Sequence, residues 1–145
     1  MLLSNYLFFT TNCEPALSFY TQCGLGRVVA MARYGDGGMP VKNPAMRGRI
    51  MHAKFEGPGV LFFASDNDDA EPMRGSAHLL QMDDRETTET LFGRLAAGGV
   101  VTTPLGIQPL GGFLWQANRP LWGAVDDELP CVTPRHGDPA QSIPA

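Results

Sequence analysis

The stretch Tyr6-Leu-Phe-Phe-Thr-Thr-Asn-Cys-Glu-Pro-Ala-Leu-Ser-Phe-Tyr20, followed after three intervening residues by Gly24-Leu-Gly-Arg-Val-Val-Ala-Met-Ala-Arg-Tyr-Gly-Asp36, decides the fold. Leu2 to Thr10 is aromatic and aliphatic and predicts a strand. Asn12 or Cys13 stands where a helix cap belongs. Glu14 and Pro15 follow in the first turn, where negative charge is favoured and a missing N–H is harmless. Ala16, Leu17, Phe19, Tyr20 and Cys23 recur at helical spacing and give one apolar face. Gly24 and Gly26 stop the helix, and Gly26 to Tyr34 is a second β-rich run.

Working outward, Gly35 to Gly48 is a glycine- and proline-bearing loop. Arg49 to Glu56 and Val60 to Ser65 predict two strands joined by a Gly57-Pro58-Gly59 turn. The order is then βαβββ over residues 1–67. Asp66 to Gly75 is acidic and polar and suggests a solvated linker. Asp66, Asp68 and Asp69 lack the glycine and distal glutamate of a calcium loop. Beyond the linker the pattern restarts. Ser76 to Met82 predicts a strand, and Asp83 or Asp84 caps a helix from Arg85 to Ala97. Leu91, Phe92, Leu95 and Ala96 share one face of it. Gly98-Gly99 ends it, and Val100 to Thr103 opens another strand. Strand-helix-strand twice in one chain points to a structural repeat, with a second unit over 68–106. From Gln108 onward prolines and glycines accumulate and alternation is lost, so 107–145 predicts an irregular tail.

Composition narrows the function. The chain has 145 residues, 43% hydrophobic and 18% charged, and a net charge of −4. That is one ordinary domain or two small fused units with enough apolar content for a core. Nothing in the charge balance favours nucleic acid or an anionic membrane. The apolar runs are too short to span a bilayer, and the first residues lack a basic leader, so a cytoplasmic protein is expected. Cys13 and Cys23 sit about 15 Å apart along one helix by its ~1.5 Å rise per residue, beyond disulfide reach. Reduced, structural thiols are expected for them and for Cys131.

This sequence of elements resembles the opening of a vicinal oxygen chelate module, the unit of glyoxalases, bleomycin-resistance proteins and extradiol dioxygenases. It is most similar to the PhnB-like subgroup, often labelled 3-demethylubiquinone 3-methyltransferase. The resemblance implies an α+β chain of paired βαβββ modules whose curved sheets form a cup, and a homodimer. It implies a small-molecule ligand in that cup. In metal-dependent members the ligands come from the first, fourth, fifth and eighth strands. Carried onto this chain, the first-strand position falls near Asn5 and the fifth-strand position at Ala77. Val60 to Ser65 holds no His or Glu. No metal and no cofactor are therefore expected.

His52, in Arg49-Ile-Met-His-Ala-Lys-Phe55, is a candidate general base, because imidazole titrates nearest neutrality. A structural histidine at the sheet edge is the alternative. Tyr34, before a loop that could lid the cup, is a second candidate catalytic group. Asn5, Phe9, Phe63, Met73 and His78 are candidate substrate contacts; an exposed or hydrogen-bonded structural histidine is the alternative for His78, which lies one residue off the position the resemblance assigns to a ligand. Two readings of function stand: a metal-independent enzyme acting on a small organic molecule, and a non-catalytic sequestering protein of the bleomycin-resistance type. The methyltransferase label finds little support, because Gly35-Asp36-Gly37-Gly38 leads into a proline-bearing loop rather than a helix that would take a nucleotide.

The tail carries one further expectation. Proteins of the PhnB-like subgroup end in a run resembling W-G-x-x-x-G-x-x-x-D-x-F-G-x-x-W. Reading the codons from Ile107 one base later permits F-S-L-W-G-G-S-C-G-K-L-T-D-R-F-G-A-Q-W-M-M-S-Y-P-A and a stop. Trp115 before Gln116, and Trp122 before Gly123, each force a glycine in that frame. A shifted reading frame in the tail is thus expected. Sequencing the gene checks it: Asp126 and Asp127 should both be encoded by GAT, and GAC at either position ends the reading.

Overall fold

The computed structural model describes residues 1–71, 78, 80–107 and 113–118. The chain is α+β. Strand β1 (Asn5–Phe9) leads into helix α1 (Cys13–Cys23), then β2 (Arg27–Arg33), β3 (Ile50–Gly57) and β4 (Val60–Asp66). These four strands make one sheet in the order β1-β4-β3-β2. β1 runs parallel to β4, while β3 is antiparallel to both its neighbours. The expected βαβββ order of the first unit is present.

Helix α1 forms where cap, proline and periodicity coincide. Cys13, Ala16, Leu17, Tyr20 and Cys23 are its buried positions, spaced three and four apart. Gly24 ends it at φ 89°, a left-handed conformation that lets its N–H bond the Thr21 carbonyl while Leu25 N–H bonds that of Tyr20. The buried face lies on the sheet against Leu7, Phe9, Ile50, Ala53, Phe55, Phe62 and Ala64. Phe55 and Phe62 stack at 4.8 Å, and Tyr20 meets both edge-on.

Asp66 overturns the reading of a solvated linker from that residue onward. It is the last residue of β4 and only 1% exposed. Its Oδ1 accepts from Cys13 N–H and its Oδ2 from Ile50 N–H, both at 2.9 Å. The cap of α1 therefore comes from a carboxylate 53 residues away, while Asn12 makes no side-chain cap bond. A carboxylate there also meets the positive end of the helix dipole. Cys13 and Cys23 are both buried. Burial, then the charges of Asp66 and Glu14, push the Cys13 thiol up to about 12, so it stays protonated and inert. Cys131 lies outside the described residues.

The loop between β2 and β3 is tied at its neck. Tyr34 N–H bonds Arg49 C=O and Gly48 N–H bonds Tyr34 C=O, both at 3.0 Å. Arg33 forks onto Glu14 in the first turn of α1, with bonds of 2.8 and 2.5 Å. That pair holds the Glu14 carboxyl below the usual carboxylate range. The start of the former linker is ordered too: Asn67 N–H bonds Phe9 C=O, and Asn43 donates to Asp68.

In the second unit α2 spans Arg85–Ala96, capped by Asp84, whose carboxylate accepts from Thr87 N–H at 2.7 Å. Leu95 joins the first unit's core, and Arg94 reaches the Cys23 carbonyl at the end of α1. Leu80 to Met82, expected in a strand, have no strand conformation; most of the rest of that expected strand lies outside the described residues. β5 (Val100–Ile107) pairs antiparallel with β6 (Phe113–Asn118), from Val100 opposite Asn118 to Ile107 opposite Phe113. The expectation of a tail without strands from Gln108 is corrected at 113–118. Backbone pairing, not side-chain alternation, organises that segment. The register slips on both sides of Thr103, next to Pro104, which has no N–H to give the ladder.

Replacing Asp66 with Ala strands two buried N–H groups. Charge-assisted bonds contribute about 1.5–3 kcal/mol each, so a loss of roughly 3–6 kcal/mol is expected. Asp66→Asn keeps one acceptor and should lose about half as much. Urea unfolding of both variants measures this; a change under 1 kcal/mol for D66A would show that the pin contributes little.

Candidate functional site

Alternation along the four strands separates two faces. Leu7, Phe9, Ala53, Phe55, Phe62, Ala64 and Asp66 point to α1. Tyr6, Phe8, His52, Lys54, Phe63 and Ser65 therefore stand on the opposite face. Pairing sets them in rows. Phe8 opposes Ser65, and Tyr6 opposes Phe63, which in turn opposes Lys54. Ala32 opposes His52 and Ala30 opposes Lys54. The small alanines leave that end of the face shallow.

The Tyr6 hydroxyl and His52 Nδ1 are 3.0 Å apart and hydrogen-bonded. With neutral imidazole protonated on Nε2, the phenol donates to Nδ1; after imidazole gains a proton, Nδ1–H donates to the phenol oxygen. The two rings of the pair are tilted at 47° to each other, but each has near-parallel neighbours. Tyr6 stacks on Phe8 at 4.8 Å and 22°, on Phe63 at 6.1 Å and 22°, and His52 stacks on Phe63 at 5.4 Å and 27°. Tyr6 is 39% and Phe8 46% exposed, so this aromatic row faces outward. Lys54 and Glu56 form an ion pair farther along the same side.

Tyr34 lies beyond the end of β2. Its hydroxyl donates to the Asp66 carbonyl at 3.2 Å. Burial, then Asp68, Tyr6 and Asp66, raise its pKa above the ordinary tyrosine value. Its proton is thus held and its donor engaged, which suits an end wall better than a proton carrier. Phe63 stands beside His52, as a ligand wall requires. Phe9 does not: it is 3% exposed in the core against α1, on the face turned away from Phe63. Asn5 opposes Phe62 and shares its parity, so it belongs to the helix side of the sheet. Its Nδ2 hydrogen-bonds His78 Nδ1 at 3.1 Å, which brings two candidate contacts together and away from His52. Met73 lies outside the described residues.

Sequence reasoning missed Tyr6, Phe8 and Ser65. β1 is aromatic on both faces, so alternation alone does not say which face meets the helix; packing of Leu7 and Phe9 on α1 does. Among the described residues no group of three or more His, Cys, Asp or Glu side chains is placed to hold a metal ion. An open hollow of about 690 Å³ lies on the helix side, between the first turn of α1 and residues Ala45 to Arg49. Much of its charge is already committed: Glu14 to Arg33, Asp66 to backbone N–H groups, Arg49 to the Thr11 carbonyl. The aromatic face has the chemistry that the hollow lacks.

No family model and no curated protein matches the chain. Solved structures do. Protein PA1353 from Pseudomonas aeruginosa is 31% identical, with a TM-score of 0.68 over 84% of this chain and 92% of its own. A PhnB protein from Bacillus cereus, described as a candidate 3-demethylubiquinone-9 3-methyltransferase, is 25% identical, with a TM-score of 0.64 over 84% of this chain and 94% of its own. The chain has a PhnB-like fold. It belongs to the same family as PA1353. No helix among the described residues is long and apolar enough to cross a membrane.

His78 supplies a pH test. Burial of the ring holds its pKa below the ordinary histidine value, though the residue as a whole stays exposed, which limits the size of the effect. The unfolded chain then binds the proton more readily, so His78 contributes stability above about pH 6.5 that is lost as pH falls from there toward the folded value. The thermal midpoint should drop over that window in the wild type and less in His78→Gln. Identical slopes for the two would refute the contribution.

Proposed function

We propose that the open face of the four-stranded sheet is a small-molecule site of the vicinal oxygen chelate type, used without metal or cofactor, with His52 as its proton-handling group. The observation that carries this reading is the Tyr6–His52 hydrogen bond standing among exposed, near-parallel rings. Apolar walls with a few placed polar groups are the usual make-up of small-ligand sites. Tyr6 fixes one imidazole nitrogen and orients the ring, and Nε2 is the nitrogen left to meet a ligand. Likeness to PA1353 and to the PhnB protein supports the family frame and leaves the ligand open. A homodimer, in which a second copy completes the cup, accords with the apolar character of this face. A cytoplasmic location accords with the absence of a membrane-spanning helix among the described residues.

Sequestration without chemistry is the second reading; the sequence shows no local motif that would activate a Ser, Thr or Cys nucleophile. A methyl-transfer role has less support. Gly35 to Gly38 fold as a turn with a short 3-10 segment at Asp36–Gly38, and the chain then runs extended at Met39, so no helix N-terminus follows to receive a nucleotide.

A thermal-shift screen of small metabolites, with divalent metals and with chelator, followed by turnover assays on the hits, tests the proposal. Hits should stabilise the protein equally in both conditions. If His52 moves a proton in catalysis, His52→Gln should cut turnover about 10²–10⁴-fold. A hit returned unchanged but lost in H52Q supports sequestration. Hits that need metal, or that bind H52Q and Phe63→Leu as well as the wild type, would overturn the site.

A further inference from the structure

We infer that the molecule this face takes carries a single carboxylate beside its apolar body, and that Lys54 receives it. The inference rests on the site proposed above and adds the ligand's charge. It follows from the charges that strand pairing sets on that face. Arg27 lies directly opposite Glu56, and Lys54 opposite both Ala30 and Phe63. His52, Lys54 and Glu56 succeed one another two residues apart on β3, so they share the open side, and Arg27 shares it with them. The open side of the four strands thus carries two cations, Arg27 and Lys54, against one anion, Glu56, although the whole chain has a net charge of −4. His52 adds no negative charge in either of its protonation states.

Glu56 can neutralise only one of its two neighbours. In the structure it pairs with Lys54, and the Arg27 guanidinium makes no ion pair or hydrogen bond among the described residues. Directly opposed residues on antiparallel strands have Cβ atoms about 4.5–5.5 Å apart, so Glu56 reaches Arg27 by a change of rotamer. One positive charge is therefore surplus whichever partner Glu56 takes, and the two arrangements differ in where it stands. With Glu56 on Lys54 the surplus lies at Arg27, in a row with Glu56 and Leu61 that holds no ring. With Glu56 on Arg27 it lies on Lys54, in a row with Phe63 and Tyr6. A ligand with an apolar body and one carboxylate matches the second arrangement: its body lies on Phe63 and Tyr6, its acid group meets Lys54, and Glu56 passes to Arg27. A neutral ligand gains nothing from that exchange, and a cation meets like charge. A single surplus charge also suits a monoanion better than a phosphate, which carries nearly two negative charges at neutral pH.

The experiment uses three probes with one alkyl chain and different charge: hexanoate, hexanamide and hexylammonium. Each is titrated at pH 7 into the full-length protein and followed by amide chemical shifts in two-dimensional NMR. Hexanoate should bind about fivefold tighter than hexanamide, the scale of a part-exposed ion pair, and hexylammonium should bind weakest. The largest shifts should fall at Tyr6, Lys54, Glu56 and Phe63. Lys54→Met should bring hexanoate down to the affinity of hexanamide and leave hexanamide unchanged. Arg27→Gln, at a position clear of the ligand, should weaken hexanoate by a similar factor, because Glu56 then stays on Lys54. Glu56→Gln should strengthen hexanoate. The ranking of probes on the wild type stands whether or not a variant folds, and thermal midpoints of the variants verify that they do. Equal affinity for hexanoate and hexanamide, or an unchanged hexanoate affinity in K54M or R27Q, overturns the inference while leaving the site in place. Shifts confined to other parts of the protein, or no shifts with any probe, would instead remove the site itself.

Discussion

Asp66 is the constraint on which the first unit depends. One carboxylate, almost wholly buried, ties the first turn of α1 to the end of β4 and the start of β3. It joins three segments that are distant in sequence, and it does so through backbone N–H groups, so the identity of Cys13 and Ile50 is immaterial to the bonds. What those bonds set is the height of α1 on the sheet. With α1 placed, Leu17 and Tyr20 settle over Phe55 and Phe62. The Tyr34 hydroxyl on the Asp66 carbonyl adds the loop's neck to the same knot. A buried ion held only by N–H donors is worth keeping when removing it would leave those donors stranded. That asymmetry makes the knot hard to lose one residue at a time.

Much of this order was legible from local chemistry. Glu14-Pro15 at a helix start, Gly24 at its end and Gly57-Pro58-Gly59 between two strands each act within a few residues, and the observed elements begin and end there within a residue or two. What was not legible acts at long range. Asp66 in a run of Asp, Asn and Asp resembles a solvated linker, because composition does not reveal that a strand carries its first member under a helix. Asn12 has the residue type of a cap, yet the cap bond comes from elsewhere. β6 was invisible because its partner, rather than its own pattern, defines it.

The site shows the same division. His52 and Phe63 could be named from residue type and strand parity, and they do stand side by side. Phe9 was misplaced because an aromatic strand with Tyr6, Phe8 and Phe9 gives no sign of which side meets the helix. Once Leu7 and Phe9 are known to pack on α1, Tyr6 and Phe8 must emerge on the other face, since neighbours on a strand alternate. Tyr6 then meets His52 across two intervening strand spacings, a contact that no spacing in the sequence encodes.

Strand parity keeps the core face and the open face of this sheet apart. On the helix side polar groups are few and bonded: Asp66 gives both its oxygens to N–H donors, and the rings close edge-to-face. On the other side Tyr6 stacks on Phe8 with surface to spare, and the Tyr6 hydroxyl orients the imidazole of His52, whose ring is tilted at 47° to the phenol. Substitution at Phe8 or Phe63 changes the open face without touching the contacts that seat α1. Substitution at Leu7, Phe9 or Asp66 does the opposite. One residue of register separates the two sets, so the strand pairing that Asp66 locks is also what keeps the aromatic face pointing outward.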